Sequence, residues 1–269
     1  MKDYFKNKVA WITGASGGIG EALALALSAD GAILVLSARH REALEVVAKK
    51  CYDAGANNVL VQPLDLTNAA DFDKITADVI TKMGTIDLLI NNGGVSQRAL
   101  VEDSPMELYR QMMEVNFFGA VALTKAVLPT MIAKKAGQII TISSLVGKIG
   151  SPLRSGYAAS KHALHGFFES LRAEVWRENV QVTIVCPGYI QTNISVNAVR
   201  EDGKKYGLMD ENQAKGMKAS VCAQKILRAV EKGKHEVLIG GKETLGVYMK
   251  RFFPGLLWRM VRKYNVKTV

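Results

Sequence analysis

The sequence predicts an α/β fold: a doubly wound parallel sheet of about seven strands with helices on both faces. Two observations lead to this prediction. Short apolar segments alternate with segments of helical length along the chain, a pattern typical of parallel sheets whose strands are buried on both faces. The first apolar segment also runs directly into a glycine-rich turn and then an apolar helix.

Seven segments have the length and apolar composition of buried strands. They are residues 9–12, 32–36, 58–61, 86–90, 137–142, 180–185 and 237–239. Helices of ordinary length are predicted in the intervals. With 269 residues, no internal repeat and no low-complexity linker, we expect one domain over residues 1–269.

The composition argues against several other classes of protein. The sequence has no uninterrupted apolar stretch of membrane-spanning length, and the first strand begins near Lys8, which leaves no room for a signal peptide. We therefore expect a cytoplasmic protein. Three widely spaced cysteines offer neither a disulfide framework nor metal-ligand spacing, and the four histidines form no ligand set. We expect no metal, and surface or helix-lining positions for the histidines.

The glycine-rich turn predicts a dinucleotide-binding site. Glycines permit a tight turn and let backbone N–H groups approach a pyrophosphate, while the N-terminus of the following helix contributes the positive end of its dipole. The strand–turn–helix context favours this interpretation over a purely structural turn. The predicted cofactor contacts in the turn are Gly14, Ser16, Gly17, Gly18, Ile19 and Gly20.

A tyrosine, a lysine and a serine are the candidate catalytic residues. Tyr157 and Lys161 are four residues apart and so share one helix face, and Ser144 lies thirteen residues before the tyrosine. A phenol has a pKa near ~10. An ammonium beside it favours the phenolate and lowers that pKa toward working pH. Alone, a Tyr-x-x-x-Lys pair is more often a coincidence on a solvated helix, and the glycine-rich turn reverses that balance.

Together these motifs resemble the short-chain dehydrogenase/reductase family of the common, single-domain type, which has a Rossmann fold. The turn has the spacing T-G-x-x-x-G-x-G, and the resemblance runs from about Lys8 to about Thr192. One departure is Gly94, where family members usually carry alanine; glycine is small enough to keep the fold. The other motifs that carry the resemblance are Asp65-Leu66, Asn91-Asn92-Gly93, Asn116, Ser144, Tyr157, Lys161 and Pro187-Gly188.

The resemblance implies hydride transfer between a nicotinamide cofactor and a carbonyl or alcohol. Tyr157 would give a proton to the developing alkoxide, or remove it in oxidation, and Ser144 would orient the same oxygen. Lys161 would lower the pKa of Tyr157 and hold the nicotinamide ribose. Asn116 would support a water-linked proton relay to the lysine. The thirteen-residue spacing selects Ser144 rather than its neighbour Ser143.

The end of the second strand favours NADP(H) over NAD(H). An NAD site usually has an acidic residue there, whereas this chain has Arg39, whose guanidinium matches a 2′-phosphate in charge and shape. The alternative is that Arg39 merely caps the helix beginning near Arg41. Asp65 corresponds to the family residue that contacts the adenine. The remaining cofactor contacts implied by the resemblance are Leu66, Asn92, Gly93, Pro187, Gly188, Ile190 and Thr192.

Residues of about 189–218 form a long polar stretch that corresponds to the substrate lid of the family. Its sequence resembles the branch of animal dehydrogenase/reductase members seven and seven-B, which are linked to lipid, steroid or retinoid ketones. The expected substrate is therefore a hydrophobic, lipid-like ketone or secondary alcohol. We also expect a homodimer or homotetramer.

A C-terminal extension, about residues 245–269, is basic and amphipathic. Residues 200–269 hold sixteen Lys or Arg and seven Asp or Glu, a net charge of +9, against +1 for the rest of the chain. Pro254 should divide the extension into two short helices. Such a segment can lie on the inner, anionic face of a membrane; the alternative is packing over the active site or a neighbouring subunit. No motif predicts nucleic-acid binding. The predicted helical face consists of Leu257, Met260, Val261 and Tyr264.

Two other functions remain open at this point. An epimerase or dehydratase uses the same Tyr/Lys pair with a tightly held cofactor, but such relatives usually carry a larger C-terminal sugar-nucleotide domain. A non-catalytic NADP(H) sensor commonly loses the tyrosine or the lysine, and both residues are present here.

Overall fold

The computed structural model describes residues 3–262 and contains a seven-stranded parallel sheet, which confirms the predicted fold class. Its seven strands are β1 (Val9–Thr13), β2 (Ile33–Ser37), β3 (Val59–Val61), β4 (Leu88–Asn91), β5 (Gly137–Ile142), β6 (Val180–Pro187) and β9 (Glu236–Ile239). Two further strands, β7 (Ile190–Gln191) and β8 (Met217–Lys218), form a separate pair.

Helices separate the strands and cover both faces of the sheet. They are α1 (Gly18–Ala29), α2 (Arg41–Asp53), α3 (Phe72–Met83), α4 (Met106–Met113), α5 (Gly119–Ala133), α6 (Ser155–Glu174), α7 (Glu211–Ala214), α8 (Ala219–Glu231), α9 (Leu245–Phe252) and α10 (Pro254–Val261). A π-helical turn, Glu114–Phe118, joins α4 to α5.

Two apolar clusters explain why the strands are mainly apolar on both faces. Along β1, Ala10 and Ile12 face a cluster that includes α1, α2 and α8. Val9 and Trp11 face the opposite cluster, which includes α3, α5 and α6. Because successive side chains point to opposite faces of a sheet and both faces are covered, consecutive positions of the strand are apolar. The polar Thr13 comes at the carboxyl end of the strand.

The strand order is β3-β2-β1-β4-β5-β6-β9, with every pair parallel. The chain therefore winds outward from β1 to one edge, returns to place β4 beside β1, and winds outward to the other edge. Ligands of such sheets bind beyond the carboxyl ends of the strands, at the point where the winding direction changes. That point is between the ends of β1 and β4.

The predicted lid follows β6 and closes on itself through a small ladder. Ile190 pairs with Met217 and Gln191 with Lys218, so β7 and β8 bring the two ends of the segment together. Between them the chain forms turns and the single-turn helix α7.

One helical segment among residues 3–262, Met106–Ala133, is long and apolar enough by composition to span a membrane. The sequence did not single it out because Asn116 and Lys125 interrupt its apolar residues. Leu123 and Val127 are fully buried in the cluster beneath the sheet. This packing accounts for part of the apolar composition of the segment, 39% of whose most apolar window is buried.

The C-terminal extension forms two short helices, as predicted. α9 ends at Phe252 and α10 begins at Pro254, which occupies the first helical position that proline tolerates. The predicted apolar face is only partly inward: Leu257 is buried, whereas Met260 is exposed. Tyr264 lies outside the described residues.

Candidate active site

The glycine-rich turn has the geometry of a phosphate-binding loop. Gly14 and Gly18 have φ values of +64° and +59°, which favour glycine. A side chain on Gly20 would clash with the carbonyl oxygen of Gly14, so this position requires glycine for packing. A Cβ on Gly17 would meet nothing within 4 Å. Gly17 therefore borders open space at the N-terminus of α1, beside the exposed Ser16 and the half-buried Ile19.

Thr13 and Asn92 fix this turn to the end of β4. The Thr13 hydroxyl accepts hydrogen bonds from the N–H groups of Asn92 (3.0 Å) and Gly93 (2.9 Å). The Asn92 side chain donates to the carbonyls of Thr13 (2.9 Å) and Gly14 (3.2 Å). The side-chain amide of Asn92 thus holds the turn that would bind the cofactor, and the predicted contact of Asn92 with the cofactor itself stays a prediction.

Asn116 lies in the π-helical turn, a feature often found at functional sites. Its Oδ1 accepts from the N–H of Val95 (2.8 Å), and its Nδ2 donates to the Val95 carbonyl (3.0 Å) and the Ser160 hydroxyl (2.9 Å). A methyl group on Gly94 would lie 2.8 Å from Asn116 Oδ1 and 3.5 Å from Lys161 Nζ. Because Gly94 has no side chain, the Asn116 amide and the Lys161 ammonium can both lie close to its backbone.

Tyr157 lies in the first turn of α6, with only 8% of its surface exposed. Burial raises the pKa of Tyr157 above its ordinary value, because a phenolate is poorly solvated there. A hydrogen bond with Ser144 opposes this shift most strongly, followed by the charges of Arg98 and Arg154. Ser144 is oriented by the N–H of Val146, which donates to its hydroxyl (3.3 Å).

The predicted lowering of the Tyr157 pKa is not found in this structure, because burial raises that pKa more than Ser144 and the two arginines lower it. Lys161 Nζ lies 5.8 Å from the centre of the Tyr157 ring and donates to the carbonyl of Ile142 (2.8 Å). Burial lowers the pKa of Lys161 to about 8. The catalytic role of Lys161 stays a prediction.

Ser143 faces away from Tyr157. Its hydroxyl donates to the Lys161 carbonyl (3.1 Å) and contacts His165 Nε2 (3.0 Å). The two adjacent serines that follow β5 therefore have different partners. Ser144 contacts Tyr157, whereas Ser143 contacts His165 and the Lys161 carbonyl.

The remaining predicted cofactor residues lie around the same rim. Arg39 is exposed beyond β2. Asp65 accepts from the N–H and the hydroxyl of Thr67 (3.0 and 2.9 Å), and that backbone bond, with a smaller contribution from Arg39, lowers its pKa. Leu66 contacts the position where a side chain on Gly93 would lie.

On the lid side of the rim, the carbonyl of Pro187 accepts from Ser144 (3.4 Å) and the N–H of Gly188 donates to Ile239 (2.8 Å). Ile190 is buried in β7, and a Cβ on Gly18 would lie 3.0 Å from the Thr192 methyl group. Thr192 thus lies against the glycine-rich turn. The structure brings the predicted residues from eight segments of chain to one edge of the sheet.

A family model described as short chain dehydrogenase matches residues 8–203. The chain belongs to the short-chain dehydrogenase family. It is accordingly an oxidoreductase of the NAD(P)-dependent dehydrogenase/reductase class.

Curated relatives place this short-chain dehydrogenase near the branch that the lid sequence predicted. Dehydrogenase/reductase SDR family member 7B of Mus musculus is 42% identical over 264 residues, covering 97% of this chain and 82% of the relative. Dehydrogenase/reductase SDR family member 7 of Homo sapiens is 41% identical over 268 residues, covering 98% and 79%.

Solved structures agree on the fold. A short-chain dehydrogenase from Streptomyces avermitilis has a TM-score of 0.80 and 28% identity, covering 96% of this chain and 98% of that one. An alcohol dehydrogenase from Thermococcus sibiricus, complexed with 5-hydroxy-NADP, has a TM-score of 0.75 and 28% identity, covering 88% and 97%. A Burkholderia phymatum enzyme in complex with NAD has a TM-score of 0.84 and 24% identity, covering 95% and 96%.

Four residues near Tyr157 were missed by the sequence analysis of this short-chain dehydrogenase. Gln97 is buried, and its Oε1 accepts from the N–H groups of Gly156 (2.7 Å) and Tyr157 (3.3 Å) at the start of α6. The other three, Arg98, Arg154 and Asp210, form buried ion pairs. They come from three distant segments of chain, so no spacing in the sequence links them.

One group of potential metal ligands, His165, Cys186 and Glu236, occurs among the described residues. Cys186 and the Ser143 hydroxyl approach Nε2 of the imidazole, at 3.7 and 3.0 Å. Glu236 approaches the other nitrogen, Nδ1, at 3.5 Å. One ligand atom from each of the three residues lies within 4.8 Å of the others, so the three side chains form one compact group. His165 is buried and hydrogen-bonded on the inner face of α6, the helix-lining alternative of the two positions expected for the histidines.

The different surroundings of Gly17 and Gly20 generate a prediction. In Gly20→Ala the new methyl group would clash with the Gly14 carbonyl, so the substitution should lower the free energy of unfolding by about 1–3 kcal/mol.

Gly17→Ala has no neighbour to displace and should leave the melting temperature almost unchanged. Its methyl group would enter the cofactor space, so NADPH affinity should fall by about tenfold or more, at ~1.4 kcal/mol per decade. Thermal unfolding and NADPH fluorescence titration measure the two effects. Wild-type NADPH affinity in Gly17→Ala would show that the open space beside Gly17 is not the pyrophosphate site.

Proposed function

We propose that this protein catalyses NADP(H)-dependent hydride transfer between the nicotinamide and a ketone or secondary alcohol, with a hydrophobic, lipid-like substrate. The observation that carries the proposal is a buried tyrosine hydrogen-bonded to Ser144, with Lys161 one turn further along the same helix. These groups lie at the carboxyl edge of the sheet, next to the glycine-rich turn.

The protein's own groups handle the proton. Burial keeps Tyr157 as a phenol, which is the form needed to protonate the oxygen of a ketone during reduction. Ser144 is placed to hydrogen-bond the same oxygen. Lys161, with a pKa of about 8, can release and recover a proton near neutral pH. The cofactor, when bound, supplies or accepts the hydride.

Asn116 is suited to support the proton path to Lys161. Its side chain anchors the chain at Val95 and the hydroxyl of Ser160, next to the lysine in sequence. We assign it the role of fixing the backbone through which a water-linked relay would pass.

An apolar substrate is supported by the side chains around Tyr157. Tyr157 belongs to a small cluster with Leu108 and Met112, and the half-buried Val95, Val146 and Val199 pack against it. Val199 comes from the lid, and the exposed Leu208 and Met209 follow further along it. An aliphatic or ring-containing ketone would bury its apolar surface against such a lining.

The choice of NADP(H) is supported by Arg39. Its side chain is exposed at the end of β2, on the rim that leads to Asp65. A guanidinium there attracts the 2′-phosphate, whereas NAD(H) offers it no such anion.

The C-terminal helices support peripheral contact with an anionic membrane, while the catalytic sheet remains on the cytoplasmic side. Between residues 245 and 262 there are four basic and no acidic residues. Phe252 and Phe253 are 68% and 65% exposed. The C-terminal surface, as we define it, consists of the exposed Leu245, Tyr248, Phe252, Phe253, Leu256, Trp258 and Met260 with Lys250, Arg251, Arg259 and Arg262.

This surface is next to the active site. Lys250 donates to the carbonyl of Lys148, and a side chain on Gly246 would touch Ile149 at 3.1 Å. Both contacts are to the loop that follows Ser144. A lipid-like ketone leaving a bilayer would therefore have a short path to Tyr157.

Removal of the Tyr157 hydroxyl tests the chemistry. Tyr157→Phe keeps the ring and its packing, so the fold and NADPH affinity should be nearly unchanged. Loss of the proton donor should lower turnover by ~10²–10⁴-fold. The measurement is NADPH oxidation with a panel of lipid ketones, alongside NADPH fluorescence titration. Near-normal turnover by the folded variant would exclude Tyr157 as the proton donor.

Reversal of the charge at Arg39 tests the cofactor preference. Arg39→Asp replaces attraction by repulsion, so NADPH should be weakened about 10–100-fold more than NADH, which is roughly 1.4–2.8 kcal/mol. Arg41→Asp makes the same charge change two residues away, where Arg41 pairs with Glu45 at 3.7 Å, and serves as the control. Equal weakening of both cofactors by Arg39→Asp would contradict the assignment.

Sedimentation with vesicles tests the C-terminal surface. Each basic residue near an anionic bilayer contributes about 1 kcal/mol, a term that salt screens, and insertion of the two phenylalanines adds an apolar term. Phe252→Ser with Phe253→Ser should therefore reduce binding to anionic vesicles about 10-fold or more. Trp176→Ser, at an equally exposed residue on another face, should not.

Two results would count against the membrane. Negligible sedimentation of the wild-type protein with both anionic and neutral vesicles would exclude it as the partner. A change of the double variant from dimer or tetramer to monomer would assign the C-terminal surface to a subunit contact instead.

A further inference from the structure

Three charged residues connect the segments that surround Tyr157. Arg98 follows β4, Arg154 immediately precedes α6, and Asp210 lies in the lid just before α7. A single oxygen, Oδ2 of Asp210, accepts hydrogen bonds from Arg98 Nη2 and from Arg154 Nη2 (2.9 Å). The side chains of the two arginines are only 5% and 10% exposed. We call this set the Arg98–Asp210–Arg154 cluster.

Backbone bonds hold the same segments together. The N–H of Arg98 donates to the lid carbonyl of Val199 (2.9 Å), and the N–H of Val199 donates to Ser96 (2.8 Å). Inside the lid, the N–H of Asp210 donates to the buried Ser195 hydroxyl (3.3 Å). The cluster therefore anchors a lid segment that is already aligned with the loop after β4.

The same loop sets the position of Tyr157. Gln97 accepts from the N–H groups of Gly156 and Tyr157, so the residue before Arg98 fixes the first turn of α6. Arg154 lies three residues before the tyrosine on the same chain. A displacement of Asp210 would therefore disturb both the Gln97–Arg98 loop and Arg154, which position Tyr157.

The charges of the cluster do not balance. Two guanidinium groups share one carboxylate, which leaves one unit of positive charge in a buried place. Burial lowers the pKa of Arg98, and the nearby charge of Arg154 lowers it further. The two guanidinium groups therefore repel each other. One arginine would hold the lid without this cost. The two positive charges also affect Tyr157, because Arg98 and Arg154 both lower the pKa of its phenol.

We propose that the Arg98–Asp210–Arg154 cluster holds the lid over the active site and couples lid closure to the protonation of Tyr157. When the lid is closed, the carboxylate of Asp210 offsets part of the positive charge beside the tyrosine, and the phenol is retained. When Asp210 withdraws, both arginines act on Tyr157 unopposed, and the phenolate is favoured. Arg98, Arg154 and Asp210 are thus positioning residues. Their effect on turnover rests on the function proposed above.

The groups that face Tyr157 set the direction of the expected effects. They are Ser144 after β5, Arg98 after β4, Arg154 before α6 and, at 5.8 Å from the ring, Lys161. Removing a positive charge from this set raises the pKa of the tyrosine, whereas removing the negative charge of Asp210 lowers it. A residue that served only to stabilise the fold would not produce shifts of opposite sign.

The experiment measures the pH profile of ketone reduction for the full-length protein. Reduction needs the phenol, so its alkaline limb follows the pKa of Tyr157. Arg98→Gln and Arg154→Gln should move that limb upward by about one pH unit, and Asp210→Asn should move it downward by a similar amount. Asp210→Asn should also raise KM about tenfold. The control, Asp202→Asn, removes an exposed lid carboxylate whose charged neighbours, Arg200 and Lys204, lie in the same turn, and should change neither quantity.

Hydrogen exchange of the lid amides gives a second measurement that needs no substrate. Exchange over residues 189–218 should be faster in Asp210→Asn than in wild type and Asp202→Asn. Conservative variants, Arg154→Lys and Asp210→Glu, retain the charges and should keep the pH limb in place, even if their altered geometry loosens the lid. A shift of the pH limb in these charge-retaining variants would contradict the assignment to the charges of the cluster.

The outcomes separate this proposal from the proposed function. If no carbonyl is turned over by wild type, the ionisation of Tyr157 is read from the tyrosinate difference absorbance between each variant and its Tyr157→Phe form. Opposite shifts there would support the cluster even though the proposed function had failed. Unchanged lid exchange, or shifts of the same sign in the arginine and aspartate variants, would overturn the coupling.

Discussion

The hydrogen bonds of Thr13 hold the whole site in register. Its hydroxyl accepts from two successive N–H groups after β4, and the Asn92 side chain returns two bonds to the turn after β1. These bonds join the two strands between which the winding direction of the sheet changes. The glycine-rich turn, the Asn91–Gly94 segment and, through Gly94, the Asn116 and Lys161 side chains all take their positions from this junction.

The environment of Tyr157 results from two opposing effects. Apolar neighbours and burial favour the neutral phenol, whereas Ser144 and two buried arginines favour the phenolate. Burial is the larger effect, so the pKa of Tyr157 lies above its ordinary value and the phenol is retained. The phenol is the form that can protonate a carbonyl oxygen.

Much of this arrangement could be predicted from the sequence. The seven strands followed from apolar segments of strand length, and the difference between Ser143 and Ser144 followed from spacing to Tyr157. The direction of the pKa shift at Tyr157 could not, because it is set by the burial of the side chain, which the sequence does not give. The π-helical turn around Asn116 was equally hidden, because its residues read as ordinary helix.

That π-helical turn joins two helices with different tasks. α4 packs Leu108 and Met112 against Tyr157, while α5 packs Leu123 and Val127 beneath the sheet. Each residue added to or removed from a helix rotates everything beyond it by about 100°. A π-helical turn accommodates one additional residue. Loss of a residue here would turn the contacts of α4 away from the tyrosine, however well the remaining side chains were chosen. The number of residues in this segment is therefore more restricted than their identities, and variation in length should be sought in the loops at its two ends.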